Sequence, residues 1–168
     1  MTTPLQSFYI VRFNDCDPLG HLNNARYIDY MLNAREDHLR DEYQVLLPDF
    51  AKQGVTWVTT NHEIQYVRPA LYSERVCIQS ALIESSESQL IVEIVMYDES
   101  IQQIKALLWT TFTHINIKTG RKAVHDPEFF RFLKGITVTH VNKAAGLKAR
   151  LAELFVEANK RNENDFIN

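Results

Sequence analysis

Residues 15–27 read Asp-Cys-Asp-Pro-Leu-Gly-His-Leu-Asn-Asn-Ala-Arg-Tyr, and they join a predicted strand to a predicted helix. Pro18 biases the backbone of Asp17 away from the helical region, and Gly20 tolerates conformations that other residues resist. The side-chain oxygens of Asn23 and Asn24 are suited to accept the free amide hydrogens of a first helical turn. The stretch therefore predicts an acidic loop that leads directly into a helix N-terminus.

The helix that follows has one apolar face. After Asn24, apolar side chains recur at steps of three and four residues, at Tyr27, Ile28, Met31, Leu32 and Leu39. This spacing predicts an amphipathic helix of about four turns. Its N-terminus offers unpaired N–H groups and the positive end of the helix dipole, which stabilise a carbonyl oxygen as it gains negative charge.

A carboxylate just upstream of such a helix is placed to act as a general base or nucleophile on that carbonyl. Asp15 and Asp17 are individually also consistent with plain turn formation, because Asp often bonds its own backbone. The Gly-His-x-Asn-Asn run is likewise consistent with nothing more than a capped helix start. The two signals together favour a reactive site over a structural turn.

The remaining chain predicts an α+β fold in which a sheet packs on the helix. Residues 5–14 are apolar on both alternating faces, which indicates a covered strand. A period of two then predicts four more strands, over residues 56–68, 74–84, 89–97 and 103–117. Their short connections favour an antiparallel meander. Residues 41–54 are predicted as a helical turn and loop, either a plain connector or a cover over a pocket.

The C-terminal part is predicted to be helical. Asp126 caps a short helix that starts at Pro127, and residues 144–162 form an amphipathic helix whose apolar stripe is typical of docking on the same domain. We therefore divide the chain into a domain of residues 1–135 and a helical extension of residues 136–168 packed on it.

Residues 15–27 resemble the signature of the hotdog-fold thioesterases, in particular the 4-hydroxybenzoyl-CoA thioesterase-like acyl-CoA thioesterases and the related acyl-ACP thioesterases. A second stretch, Tyr-Val-Arg-Pro-Ala at residues 66–70 followed by Ser73-Glu74, resembles the family's Tyr-x-x-Pro-Ala-x-x-Gly-Asp junction, with Ser-Glu in place of the usual Gly-Asp. The resemblance covers about residues 5–133. It implies a five-stranded antiparallel sheet wrapped around a long central helix, to which the C-terminal helix is an addition.

The resemblance also implies roles for four residues of the signature. Asp17 falls at the position of the catalytic carboxylate, as general base or nucleophile. The amide of Asn24, or its neighbour, falls at the oxyanion site, and His21 and Asn23 match polar residues that orient the reacting groups. Water then hydrolyses an acyl thioester to a carboxylic acid and a thiol.

Two further residues are expected to bind substrate. Tyr27 closes the signature, and Arg68 lies at a strand end, where its guanidinium suits a CoA phosphate. A solvated surface arginine is an equally good interpretation of Arg68. The family resemblance implies a homodimer or a tetramer of dimers, with one site built from two chains.

The composition of the chain argues against several classes of protein and several kinds of site. A chain of 168 residues and 19.5 kDa suits one globular domain, and a net charge of −3 with a pI near 6.1 gives no general reason to bind nucleic acid. The sequence shows no signal-peptide pattern and no membrane-spanning apolar run, so we expect a cytoplasmic protein. Two cysteines and six histidines without ligand spacing predict neither a disulfide framework nor a metal site, and no cofactor is needed. Cys16, between two aspartates, is predicted to pack rather than react.

Several functional alternatives stay open. The main hypothesis is hydrolysis of an acyl-CoA thioester, with an acyl-ACP thioester as the alternative substrate. A non-catalytic acyl-CoA-binding module of the same fold is a second possibility. A dehydratase of this fold would need a buried His with an Asp on the central helix, but Asp37 and His38 are adjacent in sequence and project in different directions.

Overall fold

Residues 4–165 are described by a computed structural model, with side chains in the last helix described as far as residue 161. The strands are β1 (Leu5–Ile10), β2 (Val55–Tyr66), β3 (Arg75–Ser85), β4 (Gln89–Asp98) and β5 (Ile104–Asn116), and the helices are α1 (Asn24–Tyr43), α2 (Leu47–Lys52), α3 (Pro127–Ile136) and α4 (Leu147–Asp165). Single 3-10 turns lie at Phe13–Asp15 and Lys143–Ala145.

The strands form one antiparallel sheet in the order β1-β3-β4-β5-β2. The predicted meander holds for β3, β4 and β5 but is wrong for β2, which pairs with the far side of β5 instead of with β3. Residues 67–74 carry the chain across the end of the sheet. Eight residues reach at most about 26 Å, and three interstrand spacings amount to about 14 Å, so this short connection is long enough for the crossing.

Helix α1 lies across one face of the sheet and contacts β1, β3, β4 and β5. It runs for 20 residues, longer than the predicted four turns. Tyr27, Met31 and Ala34 are buried in the main hydrophobic core, as the apolar spacing predicted. Arg35 and His38 are also buried on this face, which the sequence pattern did not indicate.

Strand β1 departs from the prediction in length and burial. It ends at Ile10 rather than at residue 14, because the chain turns into the 3-10 segment at Phe13–Asp15. Phe8 and Ile10 are 38% and 44% exposed, so the prediction of a covered strand was wrong here. The reason is that α1 covers only one face of this edge strand. On the open face the Arg75 guanidinium lies over the Phe8 ring, 4.4 Å from its centroid.

Helix α4 covers the opposite face of the sheet. Leu151 and Leu154 pack in a second core with Tyr97 and Leu107. A buried ion pair joins the two layers: Arg150 Nε lies 3.0 Å from Glu93 Oε2. In the part of the chain that the structure describes, no helix is both long and apolar enough to cross a membrane.

Candidate functional site

The loop that precedes α1 is closed by Asp17. Its Oδ1 accepts hydrogen bonds from the amides of Leu19 and His21, at 2.9 and 3.1 Å, and its own amide donates to the His21 carbonyl at 2.8 Å. Gly20 has φ of +75°, the left-handed conformation that glycine adopts most readily. The second carboxylate oxygen of Asp17 has no hydrogen-bond partner among the described residues, so it is free to accept a hydrogen bond or a proton.

The loop is anchored to the second motif, the β2–β3 junction. The Leu22 amide donates to the Ala70 carbonyl at 2.8 Å, and the Tyr72 amide donates to the Gly20 carbonyl at 2.9 Å. The Ala70 amide in turn donates to the Tyr27 hydroxyl at 2.9 Å. Two stretches that the resemblance singled out separately are therefore in direct contact.

The start of α1 is held from both sides. Asn23 is the N-cap, and its side-chain oxygen accepts from the Ala25 amide at 3.0 Å. The Tyr66 hydroxyl donates to the Asn24 carbonyl at 2.8 Å. Within residues 4–165, nothing accepts a hydrogen bond from the Asn24 amide, so a free N–H lies at the positive end of the helix dipole.

These elements enclose a cleft of about 220 Å³, lined by Asp17, His21, Leu22, Asn24, Tyr27, Tyr66, Val67, Arg68 and Pro69. Five of the six predicted site residues therefore lie together. The exception is Asn23, whose side chain is engaged as the helix cap. Tyr66 also lines the cleft but was not predicted as a site residue. Its place as the first residue of the junction motif is the sequence feature that could have identified it.

The two aspartates of the loop differ in environment. Asp15 accepts a hydrogen bond from the Tyr30 hydroxyl at 2.7 Å and lies 3.8 Å from the Arg26 guanidinium, so it acts as a structural residue of the turn. Desolvation, together with the charges of Asp15 and Asp17, raises the pKa of the Cys16 thiol. A thiolate at Cys16 is therefore disfavoured, which agrees with its predicted packing role.

The charged and phenolic groups of the cleft are suited to binding. Burial raises the pKa of both Tyr27 and Tyr66, so both hydroxyls stay protonated at neutral pH. Arg68 is exposed, and its guanidinium forms no ion pair with any described residue. It is therefore available for an anionic group of a substrate.

Asp37 and His38, the residues that a dehydratase would use, do not meet at a common site. His38 is buried and its Nδ1 lies 2.7 Å from the Ser80 hydroxyl. Asp37 instead accepts from the Tyr9 hydroxyl and pairs with Arg40 at 2.8 Å. Neither residue lines the cleft.

A second cavity, which we call the apolar cavity, has a volume of about 180 Å³ and shares no lining residue with the cleft. It lies between the sheet and the helices α1, α2 and α3, and its lining is mainly aliphatic and aromatic, including Leu32, Leu39, Trp57, Phe112 and Phe129. Val45 and Leu47 also line it, so the segment after α1 covers a pocket and is not a plain connector.

Comparisons with known proteins agree with this architecture. A family model of the thioesterase-like superfamily matches residues 11–133, which include both motifs and end before α4. The long-chain acyl-CoA thioesterase FadM of Escherichia coli (strain K12) is 32% identical over 119 residues, which are 70% of this chain and 87% of FadM.

Solved structures show the same fold. The YbaW probable thioesterase from Escherichia coli aligns with a TM-score of 0.67 at 29% identity, over 80% of this chain and 99% of YbaW. Slr0204 from Synechocystis, a 1,4-dihydroxy-2-naphthoyl-CoA thioesterase, aligns with a TM-score of 0.70 over 78% of this chain and 95% of its own, but at 17% identity it supports only the fold. The chain therefore belongs to the thioesterase-like superfamily and is a hotdog-fold thioesterase.

Proposed function

We propose that the protein hydrolyses acyl-CoA thioesters to a carboxylic acid and CoA, with Asp17 as general base or nucleophile. One observation carries the proposal: a carboxylate oxygen and a helix N-terminal amide, both without partners among the described residues, belong to residues that line the same cleft. The similarity to FadM, whose substrates are long-chain acyl-CoAs, supports CoA as the thiol.

In this proposal the thioester carbonyl oxygen binds at the Asn24 amide. Negative charge develops on that oxygen as the carbonyl carbon becomes tetrahedral, and the amide and the helix dipole stabilise it. Asp17 either takes a proton from the attacking water or attacks first to give an anhydride that water then opens. In both routes the carbon–sulfur bond breaks, the thiolate leaves, and the proton from water ends on the thiol.

The other cleft residues hold these groups in place. His21 lines the cleft beside Asp17 and is proposed to orient the water or the thioester. We assign Asn23 a positioning role, because its cap on Ala25 fixes the first turn and hence the direction of the Asn24 amide. Tyr66 also helps to fix the first turn, because its hydroxyl donates a hydrogen bond to the Asn24 carbonyl.

Substrate binding is proposed to use Arg68 and Tyr27. The free, exposed guanidinium of Arg68 at the edge of the cleft suits a phosphate of CoA. Tyr27 presents its ring and a hydroxyl that the Ala70 amide holds in place. An acyl carrier protein would present the same thioester without the adenosine phosphates of CoA, so an effect of Arg68 on KM for acyl-CoA but not for acyl-ACP would separate the two substrates.

We further propose a homodimer that forms through β2. This strand is at the edge of the sheet, and Tyr66 at its end lines the cleft. An unpaired strand edge readily adds a strand from another chain. Pairing of two β2 strands would bring a second subunit next to each cleft, as the family resemblance implies.

The test is thiol release from short, medium, long and aromatic acyl-CoAs and from the matching acyl-ACPs. Hydrolysis of acyl-CoA that Arg68→Gln weakens mainly in KM is the expected result. Hydrolysis of acyl-ACP alone would move the function to the alternative substrate. Tight binding of acyl-CoA without any thiol release would identify a binding module and contradict the proposed function.

A further inference from the structure

Arg35 is a buried cation that has no anionic partner among the described side chains. It lies on the sheet-facing side of α1 and is 6% exposed. Its one side-chain hydrogen bond runs from Nη1 to the Ser80 hydroxyl at 3.3 Å, and Nε has no partner within the described residues. No carboxylate among the described side chains lies within 4.0 Å of its guanidinium.

The guanidinium stays charged in this position. Burial lowers the pKa of Arg35 to about 10, which still leaves it protonated at neutral pH. Ser80 or a water molecule can accept a hydrogen bond from it, but neither balances a buried charge. Arg150 on the other face of the sheet shows the contrast, because it is buried to a similar degree and is paired with Glu93.

Arg35 lies between the apolar cavity and a smaller cavity of about 30 Å³ that Ser80 and Tyr43 also line. Trp57 of β2, Phe112 of β5 and Val92 of β4 line the apolar cavity along the sheet, and Arg35 completes its lining. Since Arg35 is bonded to Ser80 of β3, the strand beyond β4, the guanidinium lies on the β3 side of the cavity. The distance from β2 to β3 is about 14 Å, which is the span of an extended aliphatic chain of medium length.

We propose that the apolar cavity binds an aliphatic chain that ends in a carboxylate, and that Arg35 binds this carboxylate. A planar guanidinium accepts such a group in a two-point contact, and the low polarity of the surroundings strengthens it. Glu36 also lines the cavity, but it is exposed, so solvent screens its charge. The carboxylate has two sources: the far end of a dicarboxylic acyl thioester, or a free carboxylic acid such as the product.

Binding is tested at neutral pH with dodecanoate and dodecanol, which share the chain and differ in the charge. Trp57 lines the cavity and reports binding by fluorescence, while the only other tryptophan, Trp109, is buried on the face under α4. We expect the wild type to bind dodecanoate at least about tenfold more tightly than dodecanol, because a charged hydrogen-bonded pair replaces a neutral contact. Equal affinity for the two, or no binding of either, overturns the proposal.

Variants assign the effect to Arg35. Arg35→Met keeps the shape and removes the charge, so it should lose the preference for dodecanoate, retain dodecanol, and unfold at no lower temperature than the wild type without ligand. Arg40→Gln removes a cation from the exposed side of the same helix and should behave as the wild type. A preference for dodecanoate that survives in Arg35→Met contradicts the proposal. If that variant does not fold, the wild-type comparison decides.

The source of the carboxylate is tested by thiol release from dodecanoyl-CoA and from the CoA monothioester of dodecanedioic acid. This arm rests on the proposed function, whereas the binding arm does not. A higher kcat/KM for the dicarboxylic thioester, reversed in Arg35→Met, identifies the far end of the acyl group. Competition by free dodecanoate without such a preference identifies a free acid. If dodecanoate binds but no thiol is released, the proposed thioesterase activity is refuted and the proposed carboxylate site is not.

Discussion

Asp17 serves the loop and the proposed chemistry with different oxygens. Oδ1 closes the turn on the amides of Leu19 and His21, while Oδ2 forms no bond to a described residue. The turn interpretation and the reactive interpretation of this residue are therefore compatible. Asp15, which has the same side chain two positions earlier, has both a hydroxyl donor and a nearby guanidinium.

Ser73 offers a test of backbone strain at the family junction. It has φ of +66°, in the left-handed region where a residue with Cβ is disfavoured, and the related motif usually has glycine there. We expect Ser73→Gly to raise the free energy of unfolding by about 1 kcal/mol, measured by urea denaturation. Ser88→Gly, at a position without positive φ, should lower it instead. A destabilised Ser73→Gly protein contradicts this account.

His38 is expected to make the fold sensitive to acid. Burial, together with the charge of Arg35, lowers the pKa of His38 to about 4, below its ordinary value of 6.5. The unfolded chain therefore binds a proton that the folded chain does not, and stability falls as the pH falls from 6.5 towards 4. The loss attributable to this group is at most about 3 kcal/mol.

The measurement is urea unfolding at pH 7.5 and pH 5 for the wild type and His38→Asn. The variant should lose less stability over this interval, because the titrating group is gone. His62 and His125, whose pKa values are also lowered by burial, are present in both proteins and cancel in the difference. Equal slopes for His38→Asn and the wild type would refute the assignment.

At the scale of elements, period and turn chemistry predicted each strand to within about three residues, apart from the end of β1. The position of β2 could not be predicted in this way. A short connection indicates neighbouring antiparallel strands, but residues 67–74 cross three strand spacings because Ala70 is tied to Leu22 and Tyr27 at the start of α1. These hydrogen bonds are tertiary contacts, and the local sequence pattern does not predict them.

The attachment of α4 depends on the buried pair of Glu93 and Arg150, which the Trp109 indole also joins by a 3.0 Å bond to Glu93. We expect Glu93→Leu to reduce the free energy of unfolding by about 3 kcal/mol, because it leaves Arg150 buried with only its exposed partners. Combining it with Arg150→Met should recover most of the loss. Glu153→Gln removes an exposed partner and should cost less than about 1 kcal/mol.

Chemical denaturation of the four proteins checks this prediction. The variant that combines Glu93→Leu with Arg150→Met has no unpaired charge. If it is as unstable as Glu93→Leu, the loss of stability comes from lost packing and the prediction is wrong.

At the scale of the molecule, the cleft was predictable because its chemistry is concentrated in two short motifs. Five of the six predicted residues line it. The apolar cavity was not predictable to the same degree, because six separate elements line it: α1, α2, α3, β2, β4 and β5. Arg35 was missed for a physical reason: a charged residue in an amphipathic pattern is assigned to solvent unless a partner is visible in the sequence.

The edge of β2 makes a prediction about assembly. Val58 is exposed on this strand, and the apolar outer face of the sheet is covered by α4, so we expect a dimer with twice the mass of the 19.5 kDa chain. Val58→Lys should shift the protein towards monomer and reduce turnover, because a lysine on an edge strand opposes pairing. Val156→Lys changes an exposed valine of α4 and should do neither. Light scattering after size exclusion measures the mass, and a Val58→Lys dimer of full activity contradicts pairing through β2.

The most direct test of the central claim is the rate of acyl-CoA hydrolysis by Asp17→Asn and its matched control, Asp15→Asn. Asparagine at residue 17 keeps an Oδ1 acceptor for the amides of Leu19 and His21, so the loop is preserved and only the carboxylate charge is lost. Loss of a general base predicts that kcat falls about 100-fold or more in Asp17→Asn, with unchanged thermal stability, while Asp15→Asn stays within about tenfold of the wild type. A folded Asp17→Asn protein that releases CoA at close to the wild-type rate would contradict the account.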